Sequence, residues 1–376
     1  MDGFNMMTVA KYFVSFEDFL NLEMVCKKFR YTTARFHFNP IRLNSKTRKW
    51  FSRLETLHIW VREDEHFTNE KFYKQVVWYP VEYSEIKNAT TETVEYKNVV
   101  YTKNDSANYG CCIPTSVKVI GANCMEKMIN LICTHIPNGV ESIKREAFLH
   151  CTSLVKIGLP NNLTTLGSFC FSYCKSLTSI SLPDNLTRLK EHTFNQCYSL
   201  KSIQFPSNLV QIDTRCFRFC LSLDNITIPK TVTSLGEGCF ANCTILKNVQ
   251  LDCDIQELTD TCFYNCYSLK EIAIPQKVTR LGRWCFINCS SLEKINTLSN
   301  IQTVDDFCFC GCYALTSIHL SACLKSVGDY CFRKCISLKS ITFNSSDISF
   351  GQDCFLECAS CFPVIVNHDH KNLIIK

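Results

Sequence analysis

The chain has 376 residues, 46% of them hydrophobic, and a net charge of +5. That is enough apolar content for a large core, or for an elongated solenoid with a small second domain. No run of 18 apolar residues occurs, which excludes a membrane-spanning helix, and the repeats described below carry no basic stripe for nucleic acid. The charge is uneven. Residues 1–53 hold ten Lys/Arg against four Asp/Glu, so this segment supplies +6, which suits an acidic partner, an anionic surface or simply a solvated helix face. Residues 1–13 have an acid at position 2 and no sustained apolar core, so no secretory signal is expected. The expected location is cytoplasmic, with the cell surface by unconventional export as the alternative. The 27 cysteines are then expected as thiols rather than disulfides.

In residues 6–36, Phe16, Phe19, Leu20 and Met24 are spaced as on one helix face. Ser15, followed by Glu17 and Asp18, reads as an N-cap with acids in the first turn, and two or three short helices are expected. The run Asp18-Phe-Leu-Asn-Leu-Glu-Met-Val-Cys-Lys-Lys-Phe-Arg30 resembles the second half of an F-box, D-L-x-x-x-x-x-V-C-K-x-F-R, without the opening Leu-Pro. Its pattern residues here are Phe19, Leu20, Leu22, Val25, Cys26 and Phe29. The resemblance implies a Skp-type linker as partner, in a substrate receptor of a cullin ubiquitin ligase. Residues 44–51 suggest another helix. Leu54-Glu-Thr-Leu-His-Ile59 fits an atypical leucine-rich strand, residues 61–75 an exposed excursion, and 76–101 short β-like runs. The turn-rich stretch 103–110 marks a boundary. It separates a mixed N-terminal region, 1–105, from a repeat region, 106–376.

The repeat region has a fixed period. Stepping by 23 from Cys151 reaches Cys174, Cys197, Cys220, Cys243, Cys266, Cys289, Cys312, Cys335 and Cys358 without insertion or deletion. Three residues before each anchor stands Phe, from Phe148 to Phe355; three after it stands Leu, except for Cys361 in the last unit; six after it stands Ile or Val. The unit reads C-x-x-L-x-x-I-x-L-P-x-x-L-x-x-L-G-x-x-C-F-x-x. A period in this range means a solenoid. The I-x-L alternation is a strand, and the Pro that often follows ends it. Gly at 167, 236, 282, 328 and 351 suits a turn with permissive dihedrals. Residues 113–143 form two degenerate units, and Val364-Ile-Val366 is the last rung. One unit alone cannot offset its ordering entropy, whereas a stack can, because each coil covers the next.

This unit resembles the 23-residue leucine-rich repeat of the BspA-like family, L-x-x-I-x-I-P-x-x-V-x-x-I-G-x-x-A-F-x-x-C, with Cys here where the family often has Ala. The match covers about residues 113–366. It implies a mostly β fold: a right-handed leucine-rich repeat solenoid of about eleven coils with a parallel concave sheet, behind a small helical and mixed N-terminal domain. It also implies binding of a protein partner or surface, and no enzymatic activity.

The residues themselves agree that chemistry is absent. No nucleophile elbow, phosphate loop, dinucleotide fingerprint or zinc-protease motif occurs, so no catalytic residue, metal ligand or cofactor is assigned. The paired cysteines read as a packing ladder, with redox or metal chemistry as the rival readings. His368-Asp-His370 reads as a polar tail. The outward positions of the strands are the expected partner face: Ser179, Ser181, Ser202, Gln204, Asn225, Thr227, Asn248, Gln250, Glu271, Ala273, Lys294, Asn296, Ser317, His319, Ser340 and Thr342. Trp284, Phe307 and Tyr330 fall at one position of three successive units and form a possible aromatic patch. The expected function is non-catalytic protein binding; the alternatives are the ubiquitin-ligase receptor and a cell-surface adhesin.

Overall fold

A computed structural model of the chain describes residues 3–88, 93–296, 298–343, 348–358 and 364–366. Parallel strands wind into a β-solenoid of about 12 turns, with few helices. The chain divides into two compact units. The first holds residues 1–101 and 116–119, and the second holds 102–115 and 120–376.

The first unit opens with helices α1 (Gly3–Ala10) and α2 (Phe16–Val25). Ser15 caps α2 in a capping box. Its hydroxyl accepts from the Asp18 amide, and the Asp18 carboxylate accepts from the Ser15 amide at 2.9 Å. The helix buries Phe19 and Leu22 among Ala10, Phe36, Phe51 and Leu57, and the Phe19 ring meets Phe13, Phe36 and Phe51 edge-on at 5.0–5.8 Å. The helix expected at 44–51 is only a single 3₁₀ turn, Arg48–Trp50.

Residues 56–101 are more regular than their sequence suggests. Strands β1 (Thr56–Ile59), β2 (Lys74–Val77), β3 (Val81–Glu82), β4 (Val94–Tyr96) and β5 (Val99–Tyr101) pair in parallel. Thr56 faces Lys74 and Val81 faces Val99, a step of 18 residues; Gln75 faces Val94, a step of 19. A bridge from Phe38 to Thr56 extends the same step backwards. Here the buried Asn39 side chain takes the place of a strand rung. Its amide donates to the carbonyls of Ile41 and His58 at 2.9 and 2.7 Å and accepts from the His58 amide at 2.6 Å. A buried amide with all these bonds made is stable; with one missing it would be costly. Within 61–75, Asp64 is buried and accepts from the Trp60 and Val61 amides, so this stretch is a built turn as well as an excursion.

The second unit begins with α3 (Lys103–Tyr109), where the sequence suggested only a turn-rich boundary; the short helix at Tyr83–Ile86 belongs to the first unit. Thr102 and Asp105 form its capping box, and Gly110 ends it at φ 81°. The Ser106 hydroxyl donates to the Cys124 carbonyl, tying the helix to the first coil. Two ladders then run through the unit. One has longer strands, from Cys133–His135 to Val364–Val366; the other has two-residue strands, from Ser142–Ile143 to Ser349–Phe350. Every pairing within this unit among the described residues is parallel with a step of 23, for example Ser179 to Ser202 and Arg280 to Thr303.

Because the step never changes, like residues stack on like. Ten Phe rings from Phe148 to Phe355 lie face to face, 5.3–5.6 Å apart and within 20° of parallel. Each anchor thiol donates to the carbonyl 26 residues earlier, that of Met125 for Cys151 and of a Phe for the rest, as from Cys243 to Phe217 at 3.1 Å. Each Pro from Pro137 to Pro275 opens a turn closed by the amide three residues on, as from Leu186 to Pro183. The five glycines have a different cause from the expected one. None has positive φ. A Cβ at Gly236 would lie 2.1 Å from the Thr214 amide nitrogen, and at Gly167 2.3 Å from that of Arg145. Glycine is required there because the neighbouring backbone leaves no room for a side chain.

Candidate functional site

The face of the longer strands is built by alternation. Ile180, Ile226, Val249, Ile272 and Ile318 point into the core, and the residues on either side point out. Of the expected partner residues, Ser179, Ser181, Ser202, Gln204, Asn225, Thr227, Asn248, Gln250, Glu271, Lys294 and His319 are exposed; Asn296, Ser317, Ser340 and Thr342 are half-buried. The 23-residue step brings them side by side. Ser181 donates to Gln204 at 3.1 Å, Asn248 to Asn225 at 2.6 Å and Thr227 to Gln250 at 3.5 Å, and His319 is hydrogen-bonded to Thr342. The result is a polar surface that is mostly uncharged. One open depression on it, about 740 Å³, is lined by Lys294, Asn296, Ser317, His319 and Ser321 among others. Such a surface offers many hydrogen bonds in fixed register and few charges to desolvate.

Trp284, Phe307 and Tyr330 do come together, with ring centroids 6.3 and 5.0 Å apart. The Arg283 guanidinium lies over Trp284 at 5.7 Å and that of Arg333 over Tyr330 at 5.8 Å. Both arginines are also paired, with Asp306 at 2.9 Å and Glu357 at 2.7 Å. Ring contacts and guanidinium groups thus cover part of the strip; Trp284 is 38% exposed, and Phe307 and Tyr330 are half-buried. These three residues sit in the left-handed region, at φ 52–56°. Each complete coil has two such positions, five and one before the anchor cysteine, and most are not glycine. Sequence reading missed this feature. Its signal was present in Gly238 and Gly311 and in Asn242, Asn265 and Asn288, because Asn and Gly are the residues that enter this region most readily.

The cysteines of the ladder are free, and all are buried except the half-buried Cys358. Burial pushes the Cys151, Cys216 and Cys243 thiols up to about 12, so they stay protonated and unreactive at neutral pH. Among the described residues no group of three His, Cys, Asp or Glu is placed to hold a metal ion. His368-Asp-His370 and Cys361 lie outside the described residues.

The F-box-like residues divide. Phe19 and Leu22 are core, Leu20 and Phe29 are half-buried, and Val25 and Cys26 are exposed. Exposed Tyr12, Val14, Met24 and Tyr31 accompany them, and sequence reading did not single these out as a surface. A second group was also missed. Trp60 and Trp78 stack at 5.3 Å, with His58 edge-on to both at 5.4 and 5.8 Å. Burial, reinforced by the charge of Lys97, lowers His58 to about 4 and keeps its ring neutral.

Comparison with known proteins agrees with this geometry. Residues 118–247, 210–322 and 233–362 match the family described as BspA type leucine rich repeat region, in six copies. A leucine-rich repeat protein from Bacteroides ovatus is similar at 27% identity and a TM-score of 0.56, covering 81% of this chain and 77% of its own. A leucine rich cell surface protein from Faecalibacterium prausnitzii shares 20% identity, with a TM-score of 0.44 and coverage of 79% and 83%. The leucine-rich repeat protein of T. pallidum shares 26%, with a TM-score of 0.41 and coverage of 49% and 78%. No curated protein matches the chain. No helix among the described residues is long and apolar enough to cross a membrane.

Proposed function

Starting from the fact that the chain belongs to the BspA-type leucine-rich repeat family, we propose that it is a non-catalytic binding protein that holds a protein partner on the outward face of its longer strands. The observation that carries this reading is the fixed register of exposed Ser, Thr, Asn and Gln from Ser179 to Gln250, held laterally by their own hydrogen bonds. Prior ordering of these side chains lowers the entropy lost on binding. The face lacks the Trp, Tyr and Arg that dominate many interfaces, so affinity would come from many modest contacts and would be sensitive to single bulky insertions.

The test is a photo-crosslinking residue placed in the full chain at Gln250 in one protein and at Gln211, on the short-strand ladder, in another. Crosslinking of one protein partner from Gln250 alone, abolished by Asn225→Arg with Asn248→Arg, is the expected result. Equal crosslinking from Gln211, or none from Gln250, would refute the reading.

A further inference from the structure

We infer that the segment Met24–Tyr31 of the N-terminal unit is a docking surface for the anionic face of a phospholipid bilayer. Its apolar side chains enter the boundary of the acyl region and its cations meet the lipid phosphates. The inference is independent of the strand face, since none of its residues lies there.

Of the segment only Phe29 packs against the core of this unit, which Phe19, Leu22, Phe36 and Phe51 close; the last residues of α2 and the lysines of the 3₁₀ turn after it (Lys27–Phe29) are exposed. What is left in solvent is unusual for a water-facing surface. Met24 is 81% exposed, Val25 70% and Tyr31 72%. Between them stand Lys27, Lys28 and Arg30, all exposed, with no acidic residue in the run and, among the described residues, no ion pair to any of the three. The link between α1 and α2 repeats the combination in Lys11, Tyr12 and Val14.

Charge complementarity decides the occupant. The core of a protein interface is depleted of charge, yet here every apolar side chain has a cation within three residues of it. Alternating apolar and cationic side chains on a short helical surface are what an anionic headgroup layer accepts, because apolar atoms need only a shallow burial and Lys or Arg gains near the phosphates. The +6 of residues 1–53 extends the attraction beyond the segment.

Co-sedimentation of the full chain with vesicles tests this. The probes are phosphatidylcholine alone and phosphatidylcholine with about 30% phosphatidylserine, at low and high salt. The expected result is binding to the second vesicle only, weakened by salt. Lys27→Glu with Lys28→Glu and Arg30→Glu should lower partitioning about 100-fold, and Met24→Ser with Val25→Ser and Tyr31→Ser should also lower it; circular dichroism checks that both variants keep the fold. A wild-type chain that stays in solution with both vesicles, or binds both equally, overturns the proposal. So does a chain that ignores vesicles while binding a purified Skp-type linker through the same six residues.

Discussion

The two units solve the same problem with different periods. In the second unit a constant step of 23 lets one solution repeat: Phe on Phe, thiol to carbonyl, turn on turn. In the first unit the step is 18 or 19, and apart from Trp60 on Trp78 few neighbours along the stack repeat one residue type. Asn39 replaces a rung, His58 meets Phe38, and a capping Asp64 serves one turn while Tyr83–Ile86 forms a helix in another. A constant period makes stability additive over near-identical interfaces, whereas an irregular one concentrates it in a few contacts that have no equivalent elsewhere. Variants at matched places in the two units measure that difference.

Thiol accessibility should set the ladder apart from the rest of the chain most. In the native chain, exposed Cys26, Cys112, Cys133 and Cys323 should react with a thiol reagent at ordinary rates, and the buried ladder cysteines from Cys151 to Cys335 at least about 1,000-fold more slowly. Full denaturation without reductant should then release close to 27 thiols; a much lower count would mean that disulfides form after all.

Ring removal comes next. Phe240→Ala takes one ring from between two stacked neighbours at 5.4 and 5.6 Å and should cost about 3–5 kcal/mol in urea unfolding. Phe72→Ala, at a half-buried place of the 18-residue step, should cost less than about 2 kcal/mol. Equal losses would show that the irregular unit is as tightly specified as the regular one.

The smallest effect is the pH dependence that His58 adds in the first unit. His58 is lowered in the folded chain, so it binds a proton less readily folded than unfolded. Its contribution is complete above the unfolded value near 6.5 and is lost as pH falls toward about 4. His150 and His192 are also lowered, by burial first, so the informative quantity is the difference between wild type and His58→Gln. The urea midpoint of the variant should fall less between pH 7 and pH 5. Parallel loss in both proteins would assign the dependence elsewhere.

What could be read in advance follows the same division. The 23-residue step, the Phe and Cys ladders and the outward strand positions were legible because one residue type recurs at each. The 18-residue step was not, although Phe36, Leu54 and Phe72, and Ile41, Ile59 and Val77, keep it. Two or three rungs of mixed residues do not stand out from ordinary strand alternation. The close approach behind Gly236 and the stacked Trp60 and Trp78 depend on which backbones and rings become neighbours in space, and a pattern along the chain does not show that. The Met24–Tyr31 surface was legible only as part of an F-box-like run. That Met24, Val25 and Tyr31 stand in solvent beside cations unpaired among the described residues shows only once the core is closed.

The uniform register also governs how such a chain can change over generations. A recombination that adds or removes one whole coil rejoins ladders whose rungs are equivalent, so it changes reach while leaving every interface as it was. Loss of a single residue would instead put each later Phe and Cys one place out of line with its predecessor. Length is therefore expected to drift in whole coils, and variation inside a coil to fall chiefly on side chains that face outward.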